Sequence, residues 1–182
     1  MRIYFSGAHS TGKTTLARYI SKEYNLPLLN EVARTVLAEK EYSFDTLRTD
    51  IDAVNNYQVE VFNRQIQEEQ KFTAFVSDRS FDNLAYMAQH CSVLNKFINS
   101  PEIVNYVNFI KNNKSIMFFI RPSKATLKND GVRESLSWDG IIAIDAMIKF
   151  LFEMYDINYI SIHSDSMQER IKTIKSIIAL SQ

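Results

Sequence analysis

Apolar and polar positions along the chain follow two alternating patterns. Short apolar runs are separated by longer segments in which apolar residues recur every three or four positions, the spacing of one face of a helix. The short runs predict β-strands at residues 3–6, 26–30, 73–77, 115–121 and 158–162. The longer segments predict α-helices at residues 14–24, 32–40, 51–71, 82–90, 101–111, 139–155 and 167–180.

This alternation predicts an α/β fold in which a parallel sheet is covered by helices on both faces. A length of 182 residues fits one domain spanning 1–182, and no repeat or Gly/Pro-rich linker divides the chain. Active sites of such sheets lie at the carboxyl ends of the strands. We therefore expect Gly7, Glu31, Asp78 and Arg121, each just past a predicted strand, to converge on one crevice.

Composition and charge narrow the class of protein. The chain carries 21 basic and 21 acidic residues, so no net positive field favours nucleic acid or a membrane, although a local basic groove is compatible with this balance. The single cysteine excludes an intrachain disulfide and a cysteine-rich metal site. The sequence lacks a secretory pattern at its N-terminus and an apolar run long enough for a membrane helix. We expect a cytoplasmic protein with no membrane contact.

Residues 7–15, with the sequence GAHSTGKTT, match the phosphate-binding loop pattern G-x-x-x-x-G-K-T between a strand and a helix. The glycines allow successive N–H groups to turn toward phosphates. We expect Lys13 to reach the β- and γ-phosphates of ATP and the Thr14 hydroxyl to bind Mg²⁺. The predicted nucleotide-binding residues are Gly7, His9, Ser10, Thr11, Gly12, Lys13, Thr14 and Thr15. His9 has a second interpretation, as an ordinary variable position of the loop.

A second polar segment, VSDRSFDNLAY at residues 76–86, follows the third predicted strand. A carboxylate at Asp78, beside the phosphate loop, can hold Mg²⁺ or its water. Arg79 can contact a transferring phosphoryl group or a substrate anion. The alternative for Asp78 is a helix N-cap, a role that Ser80 or Asp82 can also fill. We also expect Asp82 to contact the substrate.

Glu31 ends the segment LLNE after the second predicted strand. A carboxylate there can accept a proton from a hydroxyl that attacks the γ-phosphate in line. Arg34 follows three residues later on the same helix face and is a candidate substrate-binding residue. The alternative for Glu31 and Arg34 is a surface ion pair.

Residues 121–135 form a polar, basic segment after the fourth predicted strand, with Arg121, Lys124, Lys128 and Arg133 close together in sequence, and the predicted lid spans about residues 122–137. In a phosphoryl-transfer enzyme such a segment closes as a lid, and its arginines neutralise transition-state charge and exclude water. The alternative is a solvated basic loop.

Taken together, the phosphate loop and the segments NEVAR, SDRSFDNLAYM and NDGVRES resemble the small P-loop kinases grouped with the nicotinamide riboside kinase domain of the bacterial regulator NadR. The D-R-S triplet is also similar to the acidic-Arg-Ser motif of deoxyribonucleoside kinases. The resemblance implies a three-layer P-loop NTPase fold, with a five-stranded parallel sheet ordered 2-3-1-4-5 and a mobile lid. It also implies that Lys13 and Thr14 bind ATP–Mg²⁺, that Glu31 or Asp78 assists the hydroxyl, and that Arg133 is a lid arginine.

The sequence therefore predicts an ATP- and Mg²⁺-dependent kinase that transfers the γ-phosphate to a small nucleoside- or nucleotide-like acceptor. One alternative is a phage-type kinase acting on nucleic acid, at a polynucleotide end or a hydroxymethylpyrimidine in DNA. Neutral net charge argues against that alternative. A second alternative is a regulatory P-loop NTPase, which positions water instead of an acceptor. The assembly is predicted to be a monomer or a homodimer.

Overall fold

The computed structural model describes residues 1–30, 32–124 and 137–181. Its strands are β1 (Arg2–Ser6), β2 (Leu28–Leu29), β3 (Phe75–Ser77), β4 (Ser115–Ile120) and β5 (Ile160–Ile162). Its helices are α1 (Lys13–Tyr24), α2 (Val32–Glu39), α3 (Phe44–Thr49), α4 (Ile51–Gln70), α5 (Asp82–His90), α6 (Leu94–Phe97), α7 (Pro101–Asn112), α8 (Trp138–Met154) and α9 (Met167–Leu180).

Within the described residues, the five strands form one sheet in the order β2-β3-β1-β4-β5, and every neighbouring pair is parallel. The central strand β1 fixes the register, because Ile3 pairs with Val76 of β3 on one side and with Ile116 of β4 on the other. The predicted α/β architecture and strand order are confirmed. All five strands end at the same edge of the sheet.

Helices cover both faces of this sheet because successive side chains of a strand point to opposite faces. Tyr4 belongs to a buried cluster with Phe119 and the apolar face of α8. Its neighbours Ile3 and Phe5 belong to a second buried cluster, together with apolar residues of α1 and α9. The sheet is therefore the middle of three layers.

Serine side chains cap the N-termini of several helices. The hydroxyl oxygens of Ser43, Ser100, Ser137 and Ser166 each accept a hydrogen bond from the backbone N–H three residues later. Such caps satisfy an N–H that has no partner inside the helix. At α7 the cap is followed by Pro101, whose missing N–H costs nothing at a first helical position.

The structure departs from the sequence-based prediction mainly in short elements. The second strand is only Leu28–Leu29, shorter than the predicted 26–30, because β2 pairs at the sheet edge with β3 alone. The helices α3 and α6 were not predicted. They span Phe44–Thr49 and Leu94–Phe97, too few residues for an apolar period to repeat. None of the helices in the described part of the chain is both long and apolar enough to cross a membrane.

Candidate active site

The phosphate loop adopts backbone conformations that require its two glycines. Gly7 has φ 153°, and a Cβ atom there would lie 2.4 Å from the carbonyl oxygen of Ile120 at the end of β4. Gly12 has φ 88° and occupies the N-cap position of α1, where a Cβ would lie 3.0 Å from Met167 Cε. Both positions exclude ordinary side chains. The loop is therefore packed tightly between the ends of β1, β4 and the start of α9.

A buried carboxylate holds the start of this loop. Asp82, at the beginning of α5, is 2% exposed. It accepts hydrogen bonds from Ser6 Oγ at 2.7 Å, from the Gly7 N–H at 3.0 Å and from the Ser80 N–H at 2.9 Å. The structure thus places Asp82 beneath the loop, where it satisfies backbone donors and fixes the path of the chain. Its predicted contact with substrate stays a prediction.

Lys13 lies across the loop that precedes it. Its Nζ atom donates to the carbonyl oxygens of Gly7 and Ala8, each at 2.7 Å, and lies 3.6 Å from Asp82 Oδ1. The ammonium group is therefore held at the mouth of the loop by dipoles and one carboxylate. A cation in this place suits the terminal phosphates of a nucleotide.

Thr14 and Asp78 join the loop to the neighbouring strand. The Thr14 hydroxyl donates to Asp78 Oδ2 at 2.6 Å. The prediction that the third strand lies beside the phosphate-loop strand is confirmed, since β3 pairs with β1. A hydroxyl and a carboxylate are hard oxygen donors of the kind Mg²⁺ prefers, and Mg²⁺ takes few protein ligands when it also binds phosphates. This donor pair therefore fits the implied magnesium ion.

The remaining loop residues enclose the phosphate-sized concavity. Residues 10–15 line an opening of about 270 Å³ at the N-terminus of α1. Ser10 and Thr11 lie at its start, and the exposed Thr15 lies at its end. Because the positive end of the helix dipole lies here, an anion is favoured. The ring of His9 lies against Tyr86, with centroids 4.4 Å apart, at the side of the loop.

A second opening, which we call the side cleft, lies next to Asp78. It is open to solvent and is lined by Leu29, Asn30, Val32, Gln65, Glu68, Ser77, Asp78 and Arg79. These residues come from the carboxyl ends of β2 and β3, the start of α2 and the C-terminal part of α4. Asp78 is shared by the side cleft and the Thr14 contact, so the two openings adjoin.

The side chain of Gln65 lines the side cleft and is almost fully buried. Its side chain is 3% exposed, and Nε2 donates to Glu69 Oε1 at 2.8 Å and to the Arg79 carbonyl at 3.1 Å. Both partners are acceptors, so the nitrogen must face them. Gln65 Oε1 is buried and accepts no hydrogen bond from any residue that the structure describes. The carboxamide therefore leaves one buried acceptor without a hydrogen bond from the described residues.

Glu69 supports Gln65 from the protein interior. It is fully buried and accepts hydrogen bonds from Tyr4 Oη at 2.8 Å and Tyr106 Oη at 3.1 Å as well as from Gln65. Burial raises the pKa of Glu69 from 4.5 to about 7, and the three hydrogen bonds and the nearby Arg2 charge partly oppose that rise. Burial, with Glu69 next, also raises the pKa of both tyrosines.

The arginines predicted to act in the site occupy different places. Arg79 lines the side cleft, and its Nη1 atom donates to Asn83 Oδ1 at 2.8 Å. Arg121 is bound to Asp145 of α8, with Nη2 and Oδ2 2.7 Å apart, and its guanidinium covers the Phe119 ring. Arg34 is exposed on α2.

Two predicted site residues, Glu31 and Arg133, lie outside the described residues. The same holds for Lys128 and for most of the predicted lid. Their roles as base and lid arginine stay predictions.

Sequence reasoning missed two buried polar residues at the site, Gln65 and Arg170. Each lies on the apolar stripe of its helix: Gln65 follows Val61 by four positions, and Arg170 precedes Ile174 by four. A polar residue at a position that the helical period assigns to the interior is the signal that could have identified both.

Comparison with models of protein families assigns the chain to one family. It belongs to the AAA_28 family, whose model is described as an AAA domain and matches residues 2–170. A sequence comparison with curated proteins gives no significant match.

Solved structures with the same fold include several small kinases. A deoxyadenosine kinase from M. mycoides, with the products dCMP and a flexible dCDP bound, has a TM-score of 0.71 at 14% identity over 100% of both chains. The NadR protein in complex with NR has a TM-score of 0.68 at 14% identity, over 99% of this chain and 51% of that chain. A shikimate kinase from Aquifex aeolicus has a TM-score of 0.57 at 18% identity over 100% of both chains. The resemblance to small P-loop kinases is confirmed: the chain belongs to an AAA-domain family and shares its fold with the NadR structure.

Proposed function

We propose that this protein is an ATP- and Mg²⁺-dependent kinase that phosphorylates a hydroxyl of a small nucleoside- or nucleotide-like acceptor. The observation that carries the proposal is the position of Asp78. Its carboxylate accepts a hydrogen bond from Thr14 of the phosphate loop and also lines the side cleft. A metal-bound phosphate and an acceptor can therefore meet at one carboxylate.

The donor half of the site is the phosphate loop. The backbone N–H groups of residues 10–15 and the ammonium of Lys13 would hold the triphosphate, and Thr14 and Asp78 would hold Mg²⁺. ATP–Mg²⁺ supplies the phosphoryl group and the charge that neutralises the leaving diphosphate. The residues of this chain supply position and electrostatics.

The acceptor half is the side cleft. Leu29 and Val32 offer apolar surface for a ring, and Gln65 and Asn30 contribute polar side chains to the same wall. Arg79 offers positive charge for a hydroxyl that becomes negative or for a substrate phosphate. A nucleoside or nucleotide combines these chemical features, and the neighbours solved with dCMP and with NR support this class.

Two further roles complete the proposal. Glu31, next to the cleft residues Asn30 and Val32 in sequence, acts as the base or positions the acceptor hydroxyl. Arg133 of residues 122–137 approaches the transferring phosphate when the lid closes. The proposed setting is cytoplasmic, with the protein a monomer or homodimer.

A screen of acceptors tests the proposal. The protein is incubated with ATP and Mg²⁺ and, in separate reactions, with ribosides, deoxyribosides, mononucleotides and hydroxymethyluracil-containing DNA, and products are identified by mass spectrometry. We expect a monophosphorylated product from the ribosides, deoxyribosides or mononucleotides, and none with the Lys13→Ala variant. Phosphorylation of DNA alone would favour the nucleic-acid alternative. Rapid ATP hydrolysis with no phosphorylated acceptor would favour a regulatory NTPase.

A further inference from the structure

Arg170 is a fully buried cation that connects three loops at the carboxyl edge of the sheet. Its exposed fraction is 0%. Nη1 donates to the Thr11 carbonyl at 2.6 Å, Nη2 donates to the Arg121 carbonyl at 3.3 Å, and Nε donates to the Ser164 carbonyl. These carbonyls follow β1, β4 and β5, so one side chain of α9 braces the ends of three strands.

The Thr11 contact has a direct consequence for the phosphate loop. A trans peptide is planar, so the C=O of Thr11 and the N–H of Gly12 point in opposite directions. Arg170 on α9 holds that C=O through the hydrogen bond from Nη1. The Gly12 N–H therefore points away from Arg170. Hydrogen bonding at the carbonyl also polarises the peptide and strengthens its N–H as a donor.

The surroundings of Arg170 favour an anion nearby. Among the described residues, the three hydrogen-bond partners of Arg170 are backbone carbonyl oxygens, which carry no net charge to neutralise the guanidinium. Burial lowers the pKa of the Arg170 guanidinium, and the Asp165 carboxylate partly opposes this. A buried cation without a neutralising contact is costly. A phosphate bound by the loop would supply negative charge close to it.

We propose that Arg170 is a positioning residue for nucleotide binding: it fixes the Thr11–Gly12 peptide so that the Gly12 N–H faces the phosphates, and its buried charge is compensated when they bind. Arg170 does not itself touch the nucleotide in this role. The inference rests on the donor half of the proposed function, because it requires that the loop bind a nucleotide. It is independent of the identity of the acceptor.

The binding of ADP in the absence of an acceptor tests whether Arg170 contributes to nucleotide affinity. Calorimetry with Mg²⁺ and ADP compares the wild type with Arg170→Met and Arg170→Lys. We expect at least about a tenfold loss of affinity in both, since lysine keeps the charge but cannot fork to several carbonyls. Arg2→Met is the matched control. Arg2 is 8% exposed, covers the Phe109 ring, and lies at the opposite end of β1.

The control separates nucleotide binding from general loss of a buried arginine. Arg2→Met and Arg170→Met should both lower the unfolding temperature, while Arg2→Met should keep ADP affinity within about twofold. An Arg170 variant that is folded and binds ADP like the wild type would overturn the inference, as would an equal loss in Arg2→Met. A wild type that does not bind ADP at all would instead overturn the proposed function.

A spectroscopic test reads the peptide itself and needs no ligand. The chain has four glycines, and only Gly12 follows a threonine. Labelling threonine carbonyls with ¹³C and glycine nitrogens with ¹⁵N therefore gives one HNCO peak, from the Thr11–Gly12 peptide. In Arg170→Lys we expect its carbonyl carbon to move to higher field, because the guanidinium hydrogen bond is lost, and the Gly12 amide to move with it. A peak that stays at its wild-type position would contradict the proposed contact, even if Arg170→Met fails to fold.

Discussion

The two adjoining openings of this protein are built in different ways. The phosphate-loop concavity is lined by six consecutive residues, 10–15, at the start of one helix. The side cleft is lined by residues from 29 to 79, which come from two strand ends and two helices. The first is a local structure and the second exists only after the sheet has formed.

This difference in construction predicts how selective each half of the site is for its ligand. A loop of consecutive residues binds phosphates through backbone N–H groups and two glycines, so the same pattern serves any nucleotide. A cleft assembled from distant elements depends on individual side chains such as Gln65 and Arg79. Substrate choice is therefore expected to lie in the side cleft, and phosphate affinity in the loop.

The largest expected effect is the loss of Lys13. Lys13→Ala removes the cation held by the Gly7 and Ala8 carbonyls. We expect turnover with a good acceptor to fall by at least about a thousandfold, because charge stabilisation in the transition state is lost. Lys22→Ala, an exposed lysine of α1, is the control and should be silent. Near-normal turnover in Lys13→Ala would contradict the assignment of the loop as the donor site.

Variants of Glu31 and Asp78 separate the two halves. Glu31→Gln should reduce turnover by roughly a hundredfold while ATP binding persists, because a positioned base or acceptor contact is removed. Asp78→Asn should weaken Mg²⁺-dependent ATP binding and turnover together, since this carboxylate contacts Thr14. ATP affinity and turnover are measured for both. If Glu31→Gln loses ATP–Mg²⁺ binding while Asp78→Asn keeps it, the assignment is reversed.

Removing the carboxamide of Gln65 tests acceptor recognition. Gln65→Met keeps the length of the side chain but removes Oε1 and also Nε2, which donates to Glu69 and to the Arg79 carbonyl. We expect KM for the acceptor to rise about tenfold, with ATP affinity unchanged, because the side cleft loses a polar group of its wall and the hydrogen bond that positions the Arg79 backbone. Gln70→Met, an exposed position of the same helix, provides the matched control. An equal rise of KM for ATP would show that Gln65 supports the whole site and not the acceptor alone.

A separate effect, on stability and not on activity, is a pH dependence from Glu69. Its folded-state pKa of about 7 lies above the ordinary 4.5, so the folded protein holds an extra proton between these values. The stability that this proton contributes to the folded state is fully present below about pH 4.5 and is lost as the pH rises through 7. Glu69→Gln should reduce the fall in unfolding free energy between pH 5 and pH 8 by on the order of 3 kcal/mol. Urea unfolding at pH 5 and pH 8 measures this change, and Glu68→Gln, at a partly exposed position of the same helix, should keep the wild-type fall.

Much of the fold was predictable because it depends on local patterns. The alternation of apolar runs with helical periods predicted the β1–α1 unit and the third strand ending before Asp78, both within two residues. The order 2-3-1-4-5 came from the resemblance to NadR-type kinases and is confirmed. The short helix α6 was missed because four residues show no period.

The candidate site likewise has one part that the sequence predicted and one part that it did not. Lys13 and Thr14 were predicted from adjacent residues, and the structure brings Thr14 to Asp78. The contacts of Gln65 with Glu69 and of Arg170 with Thr11 join residues whose proximity only the packed fold determines. Sequence spacing carries no signal for the second kind of contact, apart from a polar residue on a buried helix stripe.

The most direct test of the proposed kinase activity is to follow where the γ-phosphate of ATP goes. ATP labelled in its γ-phosphate is supplied with Mg²⁺, first alone and then with the acceptor identified by the screen. The account predicts slow release of labelled phosphate without acceptor, and fast, stoichiometric transfer of label to the acceptor when it is present. Fast release of labelled phosphate to water, unchanged by any acceptor, would contradict it.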